Sequence, residues 1–373
     1  MTVVFAGGGT GGHLYPAIAI ADALRARGAR VTFIGSADRL EGSIVPKAGF
    51  PLQTIAAAPL PRRPSLAFLR AATRNVRGTL QSLHLLAAAR PDIVVTTGGY
   101  VSFPVALAAR LQRAARRSVA PIVLFEPNAA PGLTTRLLAP MADEIWGECG
   151  GFSARLRSKC RPTGIPVRSS LRCLPPRGEA AARLGLDPDR ATLLVLGGSQ
   201  GARAINDALV KAWSENAVPA AWQVLALTGA AQYEGVASAL RASRQGAAPI
   251  VIRPYLDDMA DAYALADLVL ARAGASTLGE LAALAKPAIL VPYPYATEAH
   301  QAANARRFES SGAARVATDA ELGAGALSAL LSEVTQPARL ERLRAGAKTL
   351  QGDDPLERIL TRIDLLTRGK SKA

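Results

Sequence analysis

Cysteine is scarce in this chain of 373 residues; only Cys149, Cys160 and Cys173 occur. Three thiols with no C-x-x-C spacing argue against a disulfide framework and against a zinc site, and leave reduced cysteines of a cytoplasmic protein as the expectation. Aromatic residues are few as well, at 5%. The apolar content is mostly alanine, leucine and valine, the mixture of helices packed on buried parallel strands. No apolar run reaches membrane-spanning length without an arginine or a turn signal, so a protein that works at a membrane would lie on it. The chain opens on the strand-like Met1–Ala6 rather than on a charged leader and an apolar stretch, so no secretory signal is expected. Acidic residues are in deficit, 29 against 44 Lys and Arg, for a net charge of +15. Such a surface calls for an anionic partner: nucleic acid, anionic lipid or a phosphorylated substrate. No nucleic-acid module and no basic strand interleaved with aromatics is visible, so nucleic acid is not an expected partner.

What is present is a regular rhythm. The length favours two domains. Apolar runs at Val3–Ala6, Val31–Ile34, Ile93–Thr97, Ile122–Phe125 and Glu144–Trp146 alternate with stretches of helical spacing, of which Leu14–Arg27 is the first. Two prolines and a glycine in Arg161–Pro166 read as a domain connection. The pattern then restarts, with strands predicted at Thr192–Leu196, Gln223–Leu227, Ile250–Arg253, Leu268–Leu270 and Ala288–Val291. Each half predicts a parallel α/β sheet covered by helices on both faces, and two such halves predict a ligand cleft between them.

Glycine-rich loops follow the strands. The first, Gly7–His13, lets the backbone turn tightly and approach a ligand, and the helix after it presents free N–H groups to a phosphate. It satisfies G-x-G-x-x-G through Gly7, Gly9 and Gly12, but the second strand ends Ile34-Gly35-Ser36 without the acidic residue that a dinucleotide site needs. His13 closes the loop, either as a polar residue of the first helical turn or as a group for proton transfer, since imidazole titrates near working pH. The second loop, Gly197–Ala202, offers the Ser199 hydroxyl to a phosphate, or merely an N-cap. In the third, Arg272–Glu280, Ser276 and Thr277 can hold a pyrophosphate. Glu280 can accept the hydroxyls of a ribose, or simply complement the helix dipole.

Taken in order, Gly8–His13, Gly98-Gly99-Tyr100-Val101-Ser102, Gly197–Ala202 and the Gly274–Glu280 cluster resemble the motifs of the MurG-type transferases, over nearly the whole chain. That family adds N-acetylglucosamine to lipid I to give lipid II in peptidoglycan synthesis, and so serves cell-wall biogenesis, cell shape and division. The resemblance implies a GT-B fold of two Rossmann-like domains. Residues 1–164 would take the lipid acceptor and face the membrane, 165–353 would hold UDP-N-acetylglucosamine, and a C-terminal helix at about 354–373 would pack back on the first domain. It implies inversion at the anomeric carbon with no protein-bound metal or other cofactor. Among site residues it implies Thr10, Gly11 and Gly12 at the donor's sugar-phosphate region, Asn128 on the sugar, Arg168 at the donor site and Ser199 on phosphate. Leu256 would meet the uracil, Ser276 and Thr277 phosphate, Glu280 the ribose and Gln301 the sugar hydroxyls, with Ala275, Leu278 and Gly279 completing the donor segment. Two positions depart from the family pattern: Pro127 stands where glutamine is usual, and Ile165 where asparagine is usual.

A base must take the proton of the acceptor's 4-hydroxyl. His13 is the first candidate and Glu126 the second, and Arg272 is a further candidate for the pyrophosphate charge. Arg62, Arg63, Arg70, Arg74 and Arg77 lie in one stretch without an acid, among Leu66, Phe68, Leu69, Val76 and Leu80. A further basic run follows at Arg110, Arg113, Arg116 and Arg117. Either the leucines face the core and the arginines are solvated, or the segment meets an anionic bilayer. The lipid-linked substrate favours the second, with Leu66, Leu69, Arg70, Arg74 and Arg77 as the contact and a peripheral protein on the cytoplasmic face of the cell membrane as the expected location.

Overall fold

The computed structural model describes residues 1–8, 11–59, 61, 63, 65–118, 120–149, 151–198, 201–243, 248–296 and 299–368. The chain divides into two compact units, Met1–Arg168 with Asp353–Ala373, and Ser169–Gly352.

The first unit runs β1 (Thr2–Ala6), α1 (Gly11–Ala26), β2 (Arg30–Gly35), α2 (Leu40–Lys47), β3 (Leu52–Thr54), α3 (Leu66–Ala89), β4 (Ile93–Thr96) and α4 (Ser102–Ala114). It continues with β5 (Ile122–Glu126), α5 (Leu133–Leu138), β6 (Glu144–Gly147), α6 (Ala154–Arg157) and β7 (Cys160–Pro162). Its seven strands lie in the order β3-β2-β1-β4-β5-β6-β7, all parallel. The central strands are apolar along their whole length because helices cover both faces: Val3–Ala6 and Ile93–Val95 are at most 1% exposed.

The second unit repeats the scheme with α7 (Arg177–Leu184), β8 (Ala191–Leu196), α8 (Arg203–Ser214), β9 (Trp222–Leu227), α9 (Tyr233–Ala242), β10 (Ile250–Arg253), α10 (Ala260–Leu265), β11 (Ala266–Ala271) and α11 (Ala275–Ala283). It ends with β12 (Ala288–Leu290), α12 (His300–Ser310), β13 (Ala314–Val316), α13 (Asp319–Gly323), α14 (Ala326–Val334) and α15 (Pro337–Thr349). Its six parallel strands are ordered β10-β9-β8-β11-β12-β13. Both units therefore place their first strand beside their fourth, the doubly wound order whose reversal point opens a crevice at the carboxyl ends of the strands.

Three strands escape the sequence pattern: β3, β7 and β13, each of three residues. All three are edge strands with partly exposed residues, so neither length nor an apolar run marks them. The stretch read as a domain connection starts one element too early, since Cys160–Pro162 pairs with β6. A proline is tolerated there because the strand lies on the edge and ends at it.

The last helix, α16 (Pro355–Arg368), belongs to the first unit. Leu356, Ile359, Leu360 and Ile363 are at most 4% exposed, the face packs on α1 and β4, and Arg362 is paired with Glu144 at the start of β6. Ile359→Ala should lower the unfolding free energy by about 2–5 kcal/mol, as expected for deleting a fully buried aliphatic side chain. In urea this reads as a lower midpoint with an unchanged slope.

Among the groups shifted by burial are Cys149 and Lys286. Burial pushes the Cys149 thiol up to about 12, and the neighbouring Cys160 thiol acts in the same direction, so Cys149 is a protonated, unreactive thiol at neutral pH. Lys286, which donates to the Ala266 carbonyl at 2.8 Å, is pulled down to about 8 by burial; Asp267 partly offsets this and Arg177 and Arg344 reinforce it. The unfolded chain then binds more protons than the folded one between about pH 8 and the ordinary lysine value of 10.5. Stability should therefore rise with pH across that window, and Lys286→Met should remove the rise in a pH series of denaturant melts.

Candidate active site

In the first unit, the reversal point lies between β1 and β4, and the loops that leave these strands are Gly7–Gly12 and Thr97–Val101. They are close enough that only glycine fits. A Cβ on Gly7 would fall 2.1 Å from Thr97 Oγ1, and one on Gly99 would fall 2.6 Å from the Gly8 carbonyl oxygen. Gly98 has φ +88, and a Cβ there would lie 3.0 Å from Cε1 and 3.1 Å from Nδ1 of His13. The His13 ring, half-buried in the first turn of α1, is thus seated against the second loop. Ser102 Oγ lies 2.9 Å from the Ala6 carbonyl and 2.6 Å from that of Gly98, which fixes the second loop to the end of β1. Gly11 and Gly12 open α1, while Thr10 lies outside the described residues.

A buried carboxylate that no sequence pattern announced lies under the first loop. Glu41, in the first turn of α2, is fully buried and accepts from Ser36 N at 3.1 Å, and a Cβ on Gly8 would collide with its carboxyl group. Arg168, at the end of the unit, holds its guanidinium 5.1 Å from the ring centre of Tyr15 in α1, within cation–π range. Tyr15 also went unremarked in the sequence, because an aromatic at a helical position reads as core.

Glu126 departs from the expectation of a base. It ends β5 at 1% exposure. Its Oε1 accepts from the backbone N and the Nδ2 of Asn128, both at 2.9 Å, and its Oε2 accepts from Thr135 Oγ1 at 2.6 Å. With three donors on its two oxygens, Glu126 ties the Asn128 loop and α5 to the end of β5. Asn128 is half-buried beside it; Pro127 and Ile165, the departures from the family pattern, are both buried.

In the second unit the corresponding loops follow β8 and β11. Gly198 and Gly201 have φ +76 and +77, and a Cβ on Gly201 would fall 2.4 Å from the Thr228 carbonyl oxygen. Ser199 lies outside the described residues. After β11, Gly274 leads into α11 with no side-chain cap on the helix start. Ser276 and Thr277 are half-buried in that turn. Ala275, Leu278 and Gly279 are buried, and the Leu278 N–H is bonded to the Gly274 carbonyl at 3.0 Å; these three shape the helix start rather than offer polar groups. Asn304 of α12, another residue missed in the sequence, donates to the Ala273 carbonyl at 3.2 Å and holds the turn.

Arg272 is a correction too. Its guanidinium is paired with both oxygens of Asp319, donates to the Val291 carbonyl at 3.2 Å and lies 5.5 Å from the ring centre of Tyr293. A group so engaged braces the loop after β12. Gln301 sits at the other end of that loop, with its Oε1 accepting from Tyr293 N at 2.9 Å, so the side chain turns its NH₂ outward as a donor. Glu280, 9% exposed, accepts from Tyr263 Oη at 2.7 Å. Leu256 is half-buried in the loop after β10. Among the described residues no three His, Cys, Asp or Glu side chains gather as a metal site.

Known proteins match this arrangement from end to end. Residues 3–146 fit the model of the glycosyltransferase family 28 N-terminal domain, and residues 192–354 that of the family 28 C-terminal domain. The UDP-N-acetylglucosamine–N-acetylmuramyl-(pentapeptide) pyrophosphoryl-undecaprenol N-acetylglucosamine transferase of Halothermothrix orenii is 42% identical over 360 residues, spanning 94% of this chain and 95% of the relative. The enzyme of the same name from Desulforudis audaxviator is 41% identical over 377 residues, with 98% of each chain covered. Among solved structures, Acinetobacter baumannii MurG superposes with a TM-score of 0.76 at 26% identity, over 98% of this chain and 99% of that one. The S. aureus MnaA–UDP complex, at 12% identity and a TM-score of 0.66, shares the fold alone. Two family models in succession, near-complete relatives and paired glycine loops at both reversal points converge: the chain is an enzyme of glycosyltransferase family 28 and belongs to its MurG-type N-acetylglucosaminyltransferases.

Proposed function

We infer that this chain transfers N-acetylglucosamine from UDP-N-acetylglucosamine to the muramyl 4-hydroxyl of polyprenyl-linked lipid I, with inversion, to give lipid II for peptidoglycan. The observation that carries this reading is the set of glycine loops at the reversal points of both sheets, in a chain 42% identical to an enzyme of that name. Donor recognition is assigned to the second unit. The α11 start with Ser276 and Thr277, together with Ser199, takes the diphosphate. Glu280 takes the ribose, the Leu256 backbone the uracil, and the outward NH₂ of Gln301 the sugar hydroxyls. The first unit supplies the acceptor's partners. His13 removes the 4-hydroxyl proton as that oxygen attacks the anomeric carbon, UDP leaves from the opposite face, and the helix N-terminus stabilises the charge that grows on it. Thr10, Gly11, Gly12, Asn128 and Arg168 line the sugar-phosphate region. No protein-bound metal enters this scheme, and turnover is expected to survive a chelator. Purified protein with labelled UDP-N-acetylglucosamine and a lipid I analogue should transfer the label only when acceptor is present. Conversion of the donor without acceptor would make it an epimerase, and binding without turnover a sugar-nucleotide carrier.

The membrane part of the reading rests on α3. Ser65 caps it, accepting from Phe68 N at 3.2 Å, and its buried residues are Ala71, Asn75, Gly78, Thr79, Ser82 and, in the last turn, Leu86. In the preceding turns large apolar residues face outward, with Leu66 74%, Leu69 61%, Val76 61% and Leu80 62% exposed. Arg70, Arg74 and Arg77 are exposed among them. The alternative in which these leucines face the core is therefore set aside. A helix that turns its leucines outward between arginines suits the interface of an anionic bilayer. None of the described helices is long and apolar enough to cross a membrane. The enzyme is accordingly assigned to the cytoplasmic membrane face, as a peripheral protein.

A further inference from the structure

Tyr263 is among the largest fully buried side chains of the protein, at 0% exposure, yet it carries a hydroxyl. A buried phenol needs a partner, and here the partner is Glu280, at 2.7 Å from Oη to Oε2. The two residues are 17 apart in the chain and stand on different helices, Tyr263 on α10 and Glu280 on α11. Glu280 lies in the second turn of α11, and the phenol holds one oxygen of its carboxylate.

Helix α10 begins directly after the loop that carries Leu256, with the Ala260 N–H donating to Asp258 Oδ1 at 3.0 Å. The short helix that fixes that loop thus also delivers the phenol to Glu280. We propose that Tyr263 is a positioning residue for ribose recognition: its hydroxyl orients the Glu280 carboxylate toward the 2′- and 3′-hydroxyls of the uridine diphosphate and ties that orientation to the base-binding loop. The proposal rests on the assignment of Glu280 to the ribose made above.

The test is the binding of UDP and of 2′-deoxy-UDP to the full-length protein by titration calorimetry, which needs no acceptor and no turnover. In the parent protein, UDP binds more tightly than its deoxy counterpart. In Tyr263→Phe the ring still fills its cavity, so the thermal midpoint stays near the parent's. The Kd for UDP should rise about tenfold, the scale of a lost hydrogen bond to a charged group. The Kd for 2′-deoxy-UDP should rise less, since it has only the 3′-hydroxyl contact to lose, so that the selectivity ratio falls. With the transferase assay, KM for UDP-N-acetylglucosamine should rise while kcat holds. Glu280→Gln provides the reference. If it abolishes ribose selectivity and Tyr263→Phe does not, the positioning role is overturned and the ribose assignment stands. If Glu280→Gln leaves selectivity intact, both fall together. A lowered midpoint with the selectivity ratio unchanged would make Tyr263 a packing residue and overturn the proposal.

Discussion

His13→Ala should lower kcat by about 10²–10⁴-fold, the range of a lost general base, while the Kd for UDP-N-acetylglucosamine changes little. The expectation follows from the way the ring is held. His13 stands in the first turn of α1 with its imidazole against Gly98, whose φ of +88 and close approach admit no side chain. A loop that hugs a ring in this way fixes the position of the imidazole. The same contact gives an independent check. Gly98→Ala forces a Cβ to within 3.0 Å of the ring and strains the backbone at positive φ, so it should reduce kcat through His13 although residue 98 carries no titratable group. Glu126 offers the contrast. With Asn128 and Thr135 on its oxygens, Glu126→Gln should disturb the Asn128 loop and raise KM rather than remove the basic step. Turnover by His13→Ala close to the parent's would take the imidazole out of the reaction.

Replacing Arg70, Arg74 and Arg77 together by glutamate should weaken binding to vesicles rich in anionic lipid by at least about 100-fold, at roughly 1 kcal/mol for each well-placed cation. The loss should shrink as salt is raised, because the attraction is screened beyond a Debye length. Transfer to a short-chain, water-soluble acceptor should be unaffected, since these arginines are exposed on α3 and α11 and the donor residues belong to the other unit. Serine at Leu66 and Leu69 should weaken binding to neutral and anionic vesicles alike, which separates the apolar contribution from the charge. Vesicle affinity unchanged by the triple reversal would leave the exposed leucines of α3 without the partner assigned to them.

Most of the fold could be read directly from residues close together in the chain. Apolar runs such as Ile93–Val95 mark buried parallel strands, and the glycines after β1 and β8 mark turns that must approach something closely. These signals are local because they reflect backbone geometry and the burial of one short segment, and the order of the loops was enough to place the family. Edge strands such as Cys160–Pro162 lack such signals, since one neighbour and partial exposure demand no particular residue.

The functions of individual side chains were another matter, because they depend on partners far away in sequence. Whether Glu126 accepts a substrate proton or clamps a loop depends on Thr135, and whether Arg272 meets a phosphate or a carboxylate depends on Asp319, 47 residues on. The helical spacing of α3 was visible from the start, but not which side would face out, because an arginine-flanked leucine stripe fits either environment until the neighbouring α4 is in place. The chain alone sufficed for secondary structure, topology class and the glycine-rich loops at the strand ends. Burial and hydrogen-bond partnership, which set the charge and orientation of a side chain, arise only when distant segments pack together.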